Sequence, residues 1–135
     1  MRIRQANKVY RVESNLRAKI LDQLMEEEEA LSFMEGVLQK EKIKIPSRVE
    51  FFSSCGKSIL LGKIIYDETC LMFRFNVWGL YKTVILHEIA HVIAGLDDKH
   101  GPLFCYAFSE LIREHIPEAY PYLVNLYDRH KIKWT

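Results

Sequence analysis

Thr83-Val84-Ile85-Leu86-His87-Glu88-Ile89-Ala90-His91-Val92-Ile93-Ala94 reads as an apolar helix interrupted by two histidines and a glutamate. Residues four apart stack on one face of a helix, so His87 and His91 can offer imidazole nitrogens to a single ion. Glu88 sits about one residue's turn around the axis, where its carboxylate meets a water held by that ion instead of becoming a ligand. If the histidines only satisfied hydrogen bonds inside a core, Glu88 would be a buried carboxylate without a cation, which is costly. The pattern His-Glu-x-x-His in an apolar helix therefore predicts a zinc site of hydrolytic type, with His87 and His91 as ligands and Glu88 as catalyst.

A catalytic zinc takes three protein ligands and keeps one position open, so a third ligand has to come from elsewhere in the chain. His100 is one candidate. Gly95 stops the helix, the following loop can turn back toward the imidazole face, and Gly101 lets the backbone bend beside the ligand. Glu110, on the next predicted helix, is the alternative. Asp97 and Asp98 fall in a polar turn outside this scheme. Tyr81, Tyr106 and Arg113 are candidates for stabilising an oxyanion, although each also fits a packing or surface role. His115, His130 and the thiol of Cys105 read as structural or solvated groups.

Working outward, Val9, Val12, Leu16, Ile20 and Leu24 recur at helical spacing and predict an amphipathic helix over about residues 5 to 28. Ser32 with Glu35 in the capping-box position predicts a second helical segment to about Lys42, and Pro46 ends it. Arg48 to Ser53, Leu60 to Tyr66 and Cys70 to Phe75 read as strands, with turns at Gly56-Lys57 and Asp67-Glu68-Thr69. Three short strands in succession suggest an antiparallel meander. Asn76 is placed to cap the central helix, which is expected from Val77 or Trp78 to Ala94. Pro102 opens a helix carrying Phe104, Ala107, Phe108, Leu111, Ile112 and His115, and Pro121 opens a last short one.

The whole is expected as one domain over residues 1–135: an N-terminal helical segment (1–45), a sheet (46–76), then the central and C-terminal helices (77–135). With 135 residues, 49% of them apolar, the chain is long enough to bury a core. No apolar signal core occupies its start, and no run approaches the roughly 18 residues of a membrane span, so a cytoplasmic protein without a membrane partner is expected. Cys55, Cys70 and Cys105 are odd in number and lack a C-x-x-C spacing, which points to reduced thiols. The net charge is only +1. It is unevenly spread, however: Arg2, Arg4, Lys8, Arg11, Arg17 and Lys19 make the first helix basic, and Glu26-Glu27-Glu28-Glu29 reverses the sign. Such blocks usually form solvated faces, and the first also admits nucleic acid as a partner.

The segment from Trp78 to Phe104, W-G-L-Y-K-T-V-I-L-H-E-I-A-H-V-I-A-G-L-D-D-K-H-G-P-L-F, resembles SprT-like zinc metalloproteases, in which His-Glu-x-x-His is followed after a variable loop by His-Gly and often an aromatic. It resembles more closely a family of small metallohydrolases found in bacteria and their phages. That likeness extends loosely to Val9-Tyr10-Arg11-Val12-Glu13 and to the tail from Ile116 to Trp134. It implies an α+β, zincin-like fold with a three-stranded, mostly antiparallel sheet, with His87, His91 and His100 as Zn2+ ligands and Glu88 as catalyst. In related folds an extended peptide pairs with a sheet edge above the metal, and Cys70 to Phe75 is the strand expected in that role. Many SprT-like proteins also carry a four-cysteine zinc ribbon, which three cysteines cannot build.

The expected function is an intracellular metallopeptidase acting on protein or peptide substrates. Two alternatives stay open: a metal-dependent hydrolase of a non-peptide substrate such as nucleic acid, and a zinc-binding interaction protein without catalysis.

Overall fold

The computed structural model describes residues 2–43, 47–53, 62–66 and 71–134. Among them are five α-helices, α1 (Arg2–Ile20), α2 (Glu27–Lys40), α3 (Lys82–Ala94), α4 (Pro102–His115) and α5 (Tyr120–Arg129), and three strands, β1 (Ser47–Phe52), β2 (Gly62–Tyr66) and β3 (Leu71–Asn76). The contacts gather into two compact units, Met1–Asp22 with Ile89–Thr135 and Gln23–Glu88, and the boundary falls inside α3. No helix of the described residues is long and apolar enough to cross a membrane.

In the unit Gln23–Glu88 the sheet has the order β1-β3-β2. β1 pairs with β3 in parallel, with Val49 opposite Phe73 and Phe51 opposite Phe75. β2 lies antiparallel on the other side, with Ile64 opposite Phe73. Phe73 and Phe75, two apart and so on one face, are buried. Arg74 between them points the other way and meets Glu50 of β1 at 3.1 Å.

This overturns the expected α+β, zincin-like architecture with its mostly antiparallel meander: the chain is mostly helical, and its small sheet is built on a parallel pair. Alternation of apolar residues dictates a strand's two faces but neither its neighbour nor its direction. β3 follows β2 after four residues and lies antiparallel to it, whereas β1, nine residues before β2, takes the other side of β3. The expected substrate-pairing role of Cys70 to Phe75 falls with the meander, because β3 is the central strand and both its hydrogen-bonding rows are taken. The turns expected at Gly56-Lys57 and Asp67-Glu68-Thr69 lie outside the described residues.

The helices hold with shifted ends. α1 stops at Ile20, well short of residue 28, because Leu21 turns to φ 55° and closes the end with hydrogen bonds from its own N–H to Ala18 and from Asp22 to Arg17. α2 starts at Glu27, ahead of the expected Ser32 cap. Glu27, Glu28 and Glu29 occupy its first turn, where carboxylates oppose the positive helix end, and Ala30, Met34, Val37 and Leu38 form its buried stripe. Instead of one helix from Val77, a 3-10 turn at Val77–Gly79 comes first, its Trp78 N–H held by the Asn76 side chain at 3.2 Å, and α3 begins at Lys82. Asn76 is thus a cap, but of the preceding turn.

In the other unit α1 packs on α5, and α4 also meets α5. Val9, Val12 and Leu16 of α1, Phe104, Phe108 and Leu111 of α4, and Leu123 and Tyr127 of α5 are buried. Cys105 and Tyr127 lie inside this core, with the Tyr127 hydroxyl donating to the Cys105 carbonyl at 3.5 Å. Burial pushes the Cys105 thiol up to about 12; the Tyr127 hydroxyl opposes the shift, and the charges of Glu13 and Asp98 add to it. Burial likewise raises the Tyr127 phenol, with Cys105 and Glu13 adding to the shift. Cys105 is therefore a neutral packing group, consistent with the reduced, buried thiol expected from the sequence.

Candidate metal centre

His87 and His91 sit one turn apart on α3, which is apolar along most of its length. His87 and Glu88 are 5% and 7% exposed, while His91 is half-buried. The Glu88 carboxylate reaches 3.9 Å from Nε2 of His87, so it lies on the side of the helix that the imidazole nitrogen faces. These positions follow from the helix itself: four residues bring the second ring over the first, and one residue turns the carboxylate aside by about 100°.

Gly95 ends α3 at φ 89°, a conformation that costs an L side chain. A 3-10 turn at Leu96–Asp98 then carries the chain to His100. One ligand atom from each of His87, His91 and His100 lies within 4.8 Å of the other two, and these three are the residues among those described that could hold a metal ion together. The His100 ring stands edge-on to His91 at 4.8 Å between centroids and edge-on to Phe104 at 5.0 Å. Phe104 in turn lies 4.4 Å from His91. Tyr10, on α1, closes a further side of His100 at 4.9 Å. Tyr10 stands in a stretch that the family resemblance covers, but nothing in its own spacing marked it as a neighbour of this site.

The loop that delivers His100 is held by Asp98. Its Oδ2 accepts from the Phe104 N–H at 2.7 Å, so a carboxylate six residues upstream caps the start of α4. Asp98, which lies outside the ligand scheme read from the sequence, thus acts as a cap. Gly101 is needed here for clearance: its φ is −80°, but a Cβ would come within 2.7 Å of the Asp98 carboxylate. The Cys105 thiol donates to the His100 carbonyl at 3.8 Å, a second tie on the same segment. Asp98→Ala is expected to lower stability by about 1 kcal/mol, read as a shifted urea midpoint, with Asp98→Asn retaining most of the cap. An unchanged midpoint for Asp98→Ala would show that the carboxylate contributes nothing at this helix end.

Glu110, the alternative third ligand, is not in the histidine group. Its Oε1 accepts from Arg113 at 2.8 Å and from the Tyr106 hydroxyl at 3.2 Å. Six residues after Phe104, it is turned roughly 120° from the row that faces His91. The same three-residue cluster accounts for Tyr106 and Arg113, two of the expected oxyanion candidates, and Arg113 also lies over the Tyr120 ring at 5.7 Å. His115 ends α4 and His130 is the C-cap of α5.

Three imidazoles converging beside the Glu88 carboxylate form a group that could hold a metal ion. Comparison with known proteins adds one relative: uracil-DNA glycosylase of Pectobacterium carotovorum subsp. carotovorum (strain PC1), 32% identical over 91 residues. The aligned part is 67% of this chain and 37% of that protein, so the chain spans a little over a third of its relative's length. No family model and no solved structure matches the chain.

Proposed function

We propose that this chain is a zinc-dependent hydrolase whose preferred substrates are peptide bonds, with His87, His91 and His100 as ligands and Glu88 as general base. The observation that carries the reading is the convergence of the three histidines within 4.8 Å beside Glu88. The donor set fits the ion. All three donors are imidazoles, and tetrahedral zinc with Zn–N near 2.0–2.1 Å asks for nitrogens roughly 3.3 Å apart, within reach of small ring rotations. When bound, zinc would supply an acidified water and a Lewis acid for the substrate carbonyl. Glu88 takes the proton of the attacking water and returns it to the departing amine. Phe104 and Tyr10 both pack against the His100 ring, which restrains its orientation as a third donor. His91 and His100 are only half-buried, so the group is not fully enclosed. The resemblance to SprT-like zinc proteases and small metallohydrolases supports the same chemistry.

A second reading, a metal-dependent hydrolase acting on nucleic acid, is favoured by the basic first helix and by a relative named for its action on uracil in DNA. That the relative is named as an enzyme also favours catalysis over a purely scaffolding role. One preparation tests all of this. Cleavage of an unfolded protein is expected to stop on chelation and return with added zinc, while single-stranded RNA and DNA stay intact. Metal-dependent loss of the nucleic acids alone would replace the first reading with the second, and inertness toward both with zinc bound would leave a non-catalytic zinc protein.

A further inference from the structure

Helices α1 and α5 run antiparallel. Gln5 near the start of α1 reaches the Lys133 carbonyl beyond α5, whereas Lys19 near the end of α1 lies over the ring of Tyr122 near the start of α5. Between them is a groove of about 320 Å³ lined by Asn15, Lys19, Tyr122, Asn125, Leu126 and Arg129. The spacing that builds it is plain in both helices: Asn15 and Lys19 are four apart, and Tyr122, Asn125, Leu126 and Arg129 repeat at three and four.

The composition of this lining is specific. It holds two cations and no carboxylate, and among the described residues neither Lys19 nor Arg129 is paired with an acid. The Lys19 ammonium rests 5.0 Å from the Tyr122 ring centroid, which leaves its charge available to an anion. Tyr122 is 45% exposed, a large aromatic surface for solvent to cover. Asn15 and Asn125 add amide groups that both donate and accept. A bare phosphate would use the cations alone. An anion joined to a flat, polar-edged ring would use everything the groove offers, and the volume lies at the small end of ligand sites, where one nucleotide fits.

The geometry points to a binding site for a phosphorylated nucleoside in this groove, presented either as a free nucleotide or as one residue of a single strand. Lys19 and Arg129 hold the phosphate, Tyr122 and Leu126 take the base, and Asn15 and Asn125 meet its polar edge. None of these residues belongs to the histidine group, and the inference does not depend on the metal reading.

Fluorescence anisotropy with a labelled single-stranded DNA of about twelve nucleotides, a length within the range of known single-strand sites, tests it on the full chain, with AMP, inorganic phosphate and heparin as competitors. Saturable binding is expected. The Lys19→Ala/Arg129→Ala double variant should weaken it by tenfold or more at low salt, on the order of the loss for two phosphate contacts, and flatten the slope of log K against log salt by about 1.4. Tyr122→Ala should cost roughly five- to a hundredfold through lost stacking. All the substituted side chains are exposed, and unchanged helicity and zinc content in each variant keep the outcome separate from the metal site. Competition by AMP identifies a free-nucleotide site, and affinity that grows with strand length identifies a strand site. Either upholds the inference. It is overturned by absence of binding, by full binding in the double variant, or by displacement with heparin together with an unaffected Tyr122→Ala variant.

Discussion

Replacing Glu88 by Gln is expected to abolish turnover of an unfolded protein substrate while leaving zinc in place. Gln keeps the volume and the hydrogen-bonding reach of the side chain, which is 7% exposed and 3.9 Å from His87 Nε2, so the helix and the ligand pair should be undisturbed. What it removes is a base. General-base catalysis contributes about 10²- to 10⁴-fold, equivalent to roughly 3–5 kcal/mol of barrier, and the fall should appear in kcat far more than in KM. Metal content by elemental analysis and kinetics on one preparation give the answer. A variant that keeps both its zinc and its activity would remove Glu88 from the mechanism. A variant that loses zinc would instead make the carboxylate part of the ligand shell.

His100→Ala is expected to strip the metal, and Glu110→Ala is not. His100 shares a ring contact with His91 and lies in the group whose donor atoms fall within 4.8 Å, whereas Glu110 is occupied by Arg113 and Tyr106 on another side of α4. Loss of a group that merely orients a ligand costs about 10- to 100-fold in affinity, so loss of the ligand itself should cost more than that. Zinc content of the two purified variants, measured beside the unsubstituted chain, separates the candidates. Retention of full stoichiometric zinc in His100→Ala with loss in Glu110→Ala would reverse the assignment. The folded state should survive both changes, since His100 is half-buried in a loop and Glu110 lies on the flank of α4.

Where the sequence misled, the reasons are physical and specific. The end of α1 falls eight residues short of the expected 28, and like two other helix ends it lacks the usual signal. Leu21, Lys42 and Lys131 each take a positive φ, 55°, 58° and 57°, at positions where glycine is the residue to look for. After each, the next N–H reaches back five residues, from Asp22 to Arg17, from Ile43 to Leu38 and from Ile132 to Tyr127. Tertiary packing of the apolar residues around these ends outweighs the modest cost of a left-handed L residue. Where the stop is a glycine, at Gly95, it was legible. Strand direction failed for a different reason: the runs that became β1, β2 and β3 present similar alternation whether they pair in parallel or not, and pairing is set by connections and by what each face covers.

The sequence by itself determined the helical stretch of α3 that carries His87 and His91 one turn apart with Glu88 beside them, the stop at Gly95 and the start of α4 at Pro102. Each of these rests on interactions within a few residues, on helix periodicity and on backbone sterics, which letters and spacing encode directly. Only the tertiary structure decided that His100 and not Glu110 stands with His87 and His91. That choice depends on the Asp98 carboxylate holding the Phe104 N–H, on Phe104 packing against both imidazoles, and on Tyr10 arriving from the other end of the chain. It likewise set β3 at the centre of a mixed sheet and opposed Lys19 to Tyr122 across the α1–α5 groove. Contacts between residues some ninety or a hundred positions apart have no local signature, because they form only when separate apolar faces find one burial that satisfies them together.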